Sequence, residues 1–119
     1  MATAVKRKLS GSTDGKAIKV VQTATAGDTI HTAVAGTTAG TYDEIWLWAY
    51  NGHTAAVALT LEFGGATVPD QNIVQTIPAK EGLICVVPGL ILQNEMVVKA
   101  FAGTANVVTV TGYVNAITD

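Results

Sequence analysis

The sequence predicts an all-β fold, a two-sheet β-sandwich of about eight short antiparallel strands with an extended N-terminal arm. Apolar runs bounded by turn residues recur at about 8–12-residue spacing, and no stretch has a helical period. Thr, Ala, Val and Gly dominate the composition, while the long helix formers Leu, Glu, Lys and Arg are sparse. Jelly-roll and Greek-key windings share this strand count, so the winding stays open.

The chain length gives room for one domain, because 119 residues cannot build a second core. Residues 16–119 are predicted to form a single sandwich domain, and residues 1–15, which end in a turn cluster, the arm. Charged residues make up only 13% of the chain, about half the usual share of roughly 25%. A low-charge surface suits a protein that works in an assembly, and it also fits a free domain with threonine-rich faces.

Basic residues are concentrated at the start of the chain. Residues 1–19 carry a net charge of +4, and the remainder carries −6. The basic residues of this leader are Lys6, Arg7, Lys8, Lys16 and Lys19. They lack the interleaved aromatic residues of a nucleic-acid-binding face, so we expect no nucleic-acid partner. The leader is either solvated or docked on an acidic neighbouring protein.

The first half of the domain contains two predicted strands before its most apolar segment. Residues 16–24 and 29–34 are rich in β-branched residues, and the second run alternates weakly between apolar and polar positions. Residues 35–41 contain two glycines and no large side chain. They are predicted to form a loop.

Residues 42–63 are predicted to form a β-hairpin, because two apolar strands flank the turn dipeptide Asn51-Gly52. A three-residue loop, the preferred register, places one set of alternating residues on a core face: Ile45, Leu47, Val57, Leu59 and Leu61. The opposite face then carries Trp46, Trp48 and Tyr50 over Ala56, Ala58 and Thr60. A two-residue turn would exchange the faces.

The aromatic residues of this segment need a cover, since three exposed rings exceed the apolar patch that a monomer usually tolerates. The cover is either a second sheet of the same chain or a partner subunit. Trp46, Trp48 and Tyr50 are therefore candidate subunit-interface residues.

The second half of the domain contains the remaining strands. These are predicted over residues 72–77, 83–87, 90–92, 96–101 and 107–117. Pro88-Gly89 fits a type II turn. In the last strand Val108, Val110 and Val114 point inward, and Thr109, Thr111 and Tyr113 point outward. Cys85 has no partner for an intrachain disulfide, and its apolar neighbours favour a buried thiol.

The sequence offers no pattern typical of an enzyme or a metal site. His31 and His53 share no ligand spacing with Cys85 or with any carboxylate, and no glycine-rich segment has the context of a phosphate-binding loop. We expect no catalysis, no metal and no cofactor. There is neither an apolar leader nor a run approaching about 18 apolar residues, so we expect synthesis in the cytoplasm and no membrane partner.

Four segments resemble the small structural proteins of tailed-bacteriophage virions, most closely the capsid decoration, or cement, proteins. They are STDGKAIKV at 12–20, DEIWLWAYN at 43–51, TIPAKEGLICVVPGLIL at 76–92 and the terminal VTVTGYVNAI. The resemblance spans most of the chain, but none of these segments is a catalytic signature.

This resemblance implies a β-sandwich on the outside of an icosahedral head, made in the host cytoplasm and part of the virion. Its partners would be the major capsid protein and further copies of itself, with a trimer favoured. The basic residues of the leader would contact the capsid. The competing interpretations are a sandwich module that binds a carbohydrate or receptor, and a neck or tail component of a virion.

Overall fold

The computed structural model describes residues 2–119, which form nine strands in two antiparallel sheets and contain no helix. The all-β, two-sheet prediction is confirmed. The strands are β1 (Thr3–Lys8), β2 (Ile18–Lys19), β3 (Asp28–Thr32), β4 (Tyr42–Asn51), β5 (Val57–Phe63), β6 (Asn72–Ile77), β7 (Ile84–Leu92), β8 (Val97–Ala102) and β9 (Val108–Thr118).

The strands pair in the nested order of a jelly roll. Sheet A has the order β1-β9-β4-β7, with β2 also paired to β9, and sheet B has the order β3-β8-β5-β6. If β1 and β2 count as one interrupted strand, the first strand pairs with the last, β3 with β8, β4 with β7, and β5 with β6. This nesting is the winding of an eight-stranded jelly-roll sandwich, so it decides between the two windings that the sequence left open.

The predicted hairpin over residues 42–63 is wrong. Strand β4 pairs with β7 and β9 in sheet A, whereas β5 pairs with β6 and β8 in sheet B. Asn51-Gly52 is therefore a corner at which the chain leaves one sheet and enters the other. Neither residue has the positive φ that a tight hairpin turn requires.

The side chain of Asn51 explains why the chain turns away here. It is completely buried, and its Nδ2 donates hydrogen bonds to the carbonyl oxygens of Ala55 and Ile77, both at 2.9 Å. Its Oδ1 accepts a hydrogen bond of 2.8 Å from the backbone N–H of His53. One of these bonds thus holds the corner to the end of β6 and two hold the connection itself, and only a residue with both a donor and an acceptor can make this set.

The alternation along β4 and β5 is as predicted, although the two strands face each other across the sandwich. The predicted core residues Ile45, Leu47, Val57, Leu59 and Leu61 are all buried in one hydrophobic cluster. The inward row of the last strand, Val108, Val110 and Val114, belongs to the same cluster. Apolar alternation therefore identified the inward residues of β4, β5 and β9 correctly, because the period of two is a local property, although Thr60 and Glu62 on the other face of β5 are buried too.

Residues 1–15 are not wholly a free arm. Met1 lies outside the described residues, but Thr3–Lys8 form an edge strand that pairs with β9 from Thr3↔Thr118 to Lys8↔Tyr113. Leu9, just after this strand, is 1% exposed. All six side chains of β1 are exposed, as expected for a basic leader, but its backbone completes the hydrogen bonds of the β9 edge.

Three further predictions about the strands need correction. The run over residues 16–24 forms only the two-residue strand β2, and Pro88-Gly89 lies inside strand β7 instead of making a turn between two strands. The register of β7 against β4 shifts on both sides of Leu47, so β7 is bulged. One of these shifts turns Cys85 outward and leaves Val86 and Val87 buried, so the thiol is exposed.

We expect Asn51→Ala to lower the free energy of unfolding by about 3 kcal/mol, because it leaves buried backbone groups of the corner without partners. Thr54→Ala, at an exposed position in the same connection, should change it by less than about 0.5 kcal/mol. Urea denaturation of both variants tests this. Equal stability of the two variants would show that the Asn51 amide does not hold the corner.

Candidate interaction surface

The outer face of sheet A carries a cluster of aromatic side chains. Trp46, Trp48 and Tyr50 alternate with the buried residues of β4, and Trp46 lies directly opposite Tyr113 of β9. All four are half-buried. We call them the aromatic face. Sheet B packs against the other side of sheet A, so it does not cover these rings, and their neighbours come from β7 and β9 instead of from Ala56, Ala58 and Thr60.

Three of the four rings form a continuous stack. The centroids of Trp46 and Trp48 are 6.3 Å apart with an interplanar angle of 18°, and those of Trp48 and Tyr113 are 6.0 Å apart at 30°. Lys6 Nζ lies 4.5 Å from the centroid of the Tyr113 ring, within the range of a cation–π interaction. The cluster therefore begins at a basic edge strand and runs across β9 and β4.

Glu44 fixes the outer end of the cluster by accepting two hydrogen bonds. Its Oε1 lies 2.8 Å from Trp46 Nε1 and 3.0 Å from Asn115 Nδ2. These two bonds hold the pKa of Glu44 below its ordinary value of 4.5, and the Trp46 bond has the larger effect. Desolvation acts in the opposite direction and is weaker. The carboxylate is thus a fixed negative charge beside the aromatic rings.

The bulged strand β7 makes room for the Trp46 indole. A Cβ atom at Gly89 would lie 2.8 Å from Cζ2 of Trp46, and the φ of Gly89 is 81°. Both observations require glycine at this position. Glu44 therefore fixes the indole at its nitrogen, and the six-membered ring occupies the space that a side chain at position 89 would need.

The structure brings only some of the predicted basic residues to this surface. The register places Lys6 and Lys8 of β1 and Lys19 of β2 on the same face as the aromatic residues. Arg7 points to the other side of the edge strand, and Lys16 lies in the turn before β2. Lys8 Nζ is also engaged locally, since it donates a 3.3 Å hydrogen bond to the carbonyl oxygen of Ser12.

Three residues of the surface were not among the predicted site residues. Tyr113 was correctly expected to face outward, but its position against Trp48 depends on strand order, which the sequence does not give. Glu44 and Asn115 are 71 residues apart in the chain and meet only because β4 pairs with β9. No local signal in the sequence identifies that pair.

A second polar group is buried between the sheets. His31 Nε2 lies 2.7 Å from Asp43 Oδ2, and His31 Nδ1 accepts a 3.0 Å hydrogen bond from the backbone N–H of Ser10. Because Nδ1 is an acceptor, the imidazole carries its hydrogen on Nε2, and this N–H donates a hydrogen bond to Asp43. Ser10 Oγ accepts a hydrogen bond of 2.7 Å from the N–H of Thr32. The group links β3, β4 and the segment after β1.

Residues 2–119 contain no group of three or more His, Cys, Asp or Glu side chains arranged to hold a metal ion. Within the same residues, no helix is long and apolar enough to cross a membrane. The chain matches no protein-family model, and comparisons with curated proteins and with solved structures found no similar protein.

We expect Glu44 to titrate below 4.5 in the folded protein. The ionised carboxylate then stabilises the fold at pH values above its ordinary pKa. This stabilisation is lost as the pH falls through the lowered pKa. Trp46→Phe should raise the pKa of Glu44 toward 4.5, and Asn115→Ala should raise it less. NMR titration of the Glu44 carboxyl carbon measures these shifts.

Gln75→Ala, a change on sheet B, is the matched control and should leave the titration of Glu44 unchanged. A wild-type Glu44 that titrates at 4.5, or a titration that neither variant moves, would contradict the hydrogen-bond arrangement.

Proposed function

We propose that this chain is a non-enzymatic capsid decoration protein of a tailed bacteriophage. It binds the outside of the icosahedral head and stabilises contacts between subunits of the major capsid protein. The observation that carries the proposal is the aromatic face, a stack of large rings on an outer sheet surface that sheet B leaves uncovered. The resemblance of four segments to decoration proteins supplies the choice of partner.

The aromatic face has the composition of an interface. Trp and Tyr are enriched at the centres of protein interfaces, where polar groups form the rim. Here Lys6, Asn115 and Glu44, which are direct neighbours across β1, β9 and β4, form a polar border along one side of the rings. The rings are held in place before binding, which lowers the entropic cost of association. This surface is our candidate for packing between copies of the chain, with a trimer favoured.

The basic leader is the candidate contact with the capsid. Its residues are Lys6, Arg7, Lys8, Lys16 and Lys19, and all five are exposed. The six residues of β1 are on the edge of sheet A, where a neighbouring protein can reach both the side chains and the strand edge. Binding through these charges would weaken as the salt concentration rises.

The function that follows is mechanical. A protein that covers the seams between capsid subunits buries surface that exists only in the assembled head, so its binding stabilises the assembled state by mass action. Jelly rolls occur in viral capsid proteins, which is consistent with this role, but they also occur in lectins. The fold alone therefore does not decide the function.

One observation favours a second candidate, a carbohydrate-binding module. Half-buried aromatic rings on an open sheet face, beside a carboxylate and an amide, are also able to stack against sugar rings and hydrogen-bond their hydroxyl groups. A glycan screen distinguishes the two candidates. Saturable glycan binding that Trp48→Ala abolishes would favour the module.

The decoration role predicts a homo-oligomer by light scattering that co-sediments with expanded heads lacking the protein. Trp46→Ala should weaken oligomerisation or head binding by roughly thirtyfold, as expected for an interface hot spot. Val74→Ala removes an exposed apolar side chain from sheet B and should leave both unchanged. Thermal denaturation checks that each variant is folded.

A monomeric protein that ignores the heads would overturn the proposal. If folded Trp46→Ala kept the oligomer and the head binding of the wild type, the aromatic face would not be the interface.

A further inference from the structure

Glu62 on strand β5 is a buried acid that is only half satisfied. It lies on sheet B and is 2% exposed. Its Oε1 accepts a 2.6 Å hydrogen bond from the backbone N–H of Gly27, while its Oε2 is buried and has no hydrogen-bond partner among the described residues. A buried carboxyl oxygen without a donor is unfavourable, so this atom needs an explanation.

A second unsatisfied acceptor lies beside it. Asn72 of β6 is directly opposite Glu62 in the strand pairing, and its Oδ1 is also buried without a hydrogen-bond partner in the described part of the chain. Side chains at directly opposite positions lie on the same face of a sheet and close together. Asn72 is not among the residues that line the neighbouring pocket, so Glu62 supplies the buried unpaired acceptor there, and such an oxygen suits a ligand with donors and no acceptor.

Glu62 also lines a pocket of about 300 Å³. Much of its wall is small or apolar, and includes Ala26, Gly64, Ala66, Met96 and Val97. Two further charged residues line it, Glu95, which is exposed, and Lys99, which is half-buried. Lys99 pairs with Glu62 across β5 and β8, yet residues 2–119 show no ion pair between them.

We propose that this pocket binds the guanidinium group of an arginine side chain from a partner protein. A guanidinium group has five N–H donors and no acceptor, which suits the unpaired Oε2 of Glu62 and the carboxylate of Glu95, and its aliphatic stem fits the apolar wall. A divalent cation such as Ca²⁺ needs six to eight oxygen ligands, more than two carboxyl groups provide. The pocket lies on sheet B and the aromatic face on sheet A, so this inference is independent of the proposed function.

NMR titration of the full chain with N-acetyl-arginine-methylamide tests the proposal. We expect saturable shifts of the Gly27 amide and the Met96 methyl signals, and none with the neutral norleucine analogue. Glu62→Gln should weaken binding by at least about tenfold, because it removes the charge but keeps an oxygen for Gly27. Lys99→Met should strengthen binding about two- to threefold, because it removes a competing cation.

Glu95→Gln, at an exposed position of the pocket, is a second variant, which should weaken binding about threefold even if Glu62→Gln does not fold, because it removes a carboxylate. Equal binding by folded Glu62→Gln, or equal shifts with norleucine, would overturn the proposal. Tighter binding of the lysine analogue or of CaCl₂ would overturn the choice of a guanidinium group. Trp46→Ala should bind the arginine probe like the wild type, which separates this site from the aromatic face.

Discussion

The buried amide of Asn51 is the interaction on which the arrangement of this sandwich depends. It holds the corner where the chain leaves β4 in sheet A and enters β5 in sheet B, through hydrogen bonds to the connection and to the end of β6. Because the chain changes sheets there, β4 is free to pair with β9 on one side and β7 on the other. That pairing places Tyr113 beside Trp48 and turns both away from the core.

The sequence was sufficient for the class of fold and for the inward face of the strands, because both depend on local alternation. Ile45, Leu47 and Leu59 are buried as predicted. The sequence was not sufficient to predict which strands pair with each other. Asn51-Gly52 is the strongest short signal of a hairpin, yet the Asn51 amide makes a long-range hydrogen bond to Ile77, in a strand that begins 21 residues later in the chain. Such bonds form only after the two sheets have come together.

The candidate surface was also predictable only in part. Trp46 and Trp48 were correctly placed on one face, but the partners that fix them come from elsewhere in the chain. Asn115 donates a hydrogen bond to Glu44 because β4 pairs with β9. Gly89, in the bulged strand β7, has no side chain and so leaves room for the Trp46 ring. These contacts depend on strand order and on a register shift, and residue periodicity reports neither. The same limit explains why the Glu62 pocket, built from the two inner strands of sheet B and three loops, has no signature in the sequence.

We propose that the aromatic face is covered when the protein performs its function. The chain contains two tryptophans, and both lie on this face, so their fluorescence reports on this surface alone. Acrylamide quenching of the free protein and of the protein bound to heads is therefore the most direct measurement. We predict that the quenching constant falls severalfold on binding or on oligomer formation. An unchanged constant in a complex that demonstrably forms would show that the protein binds through another surface.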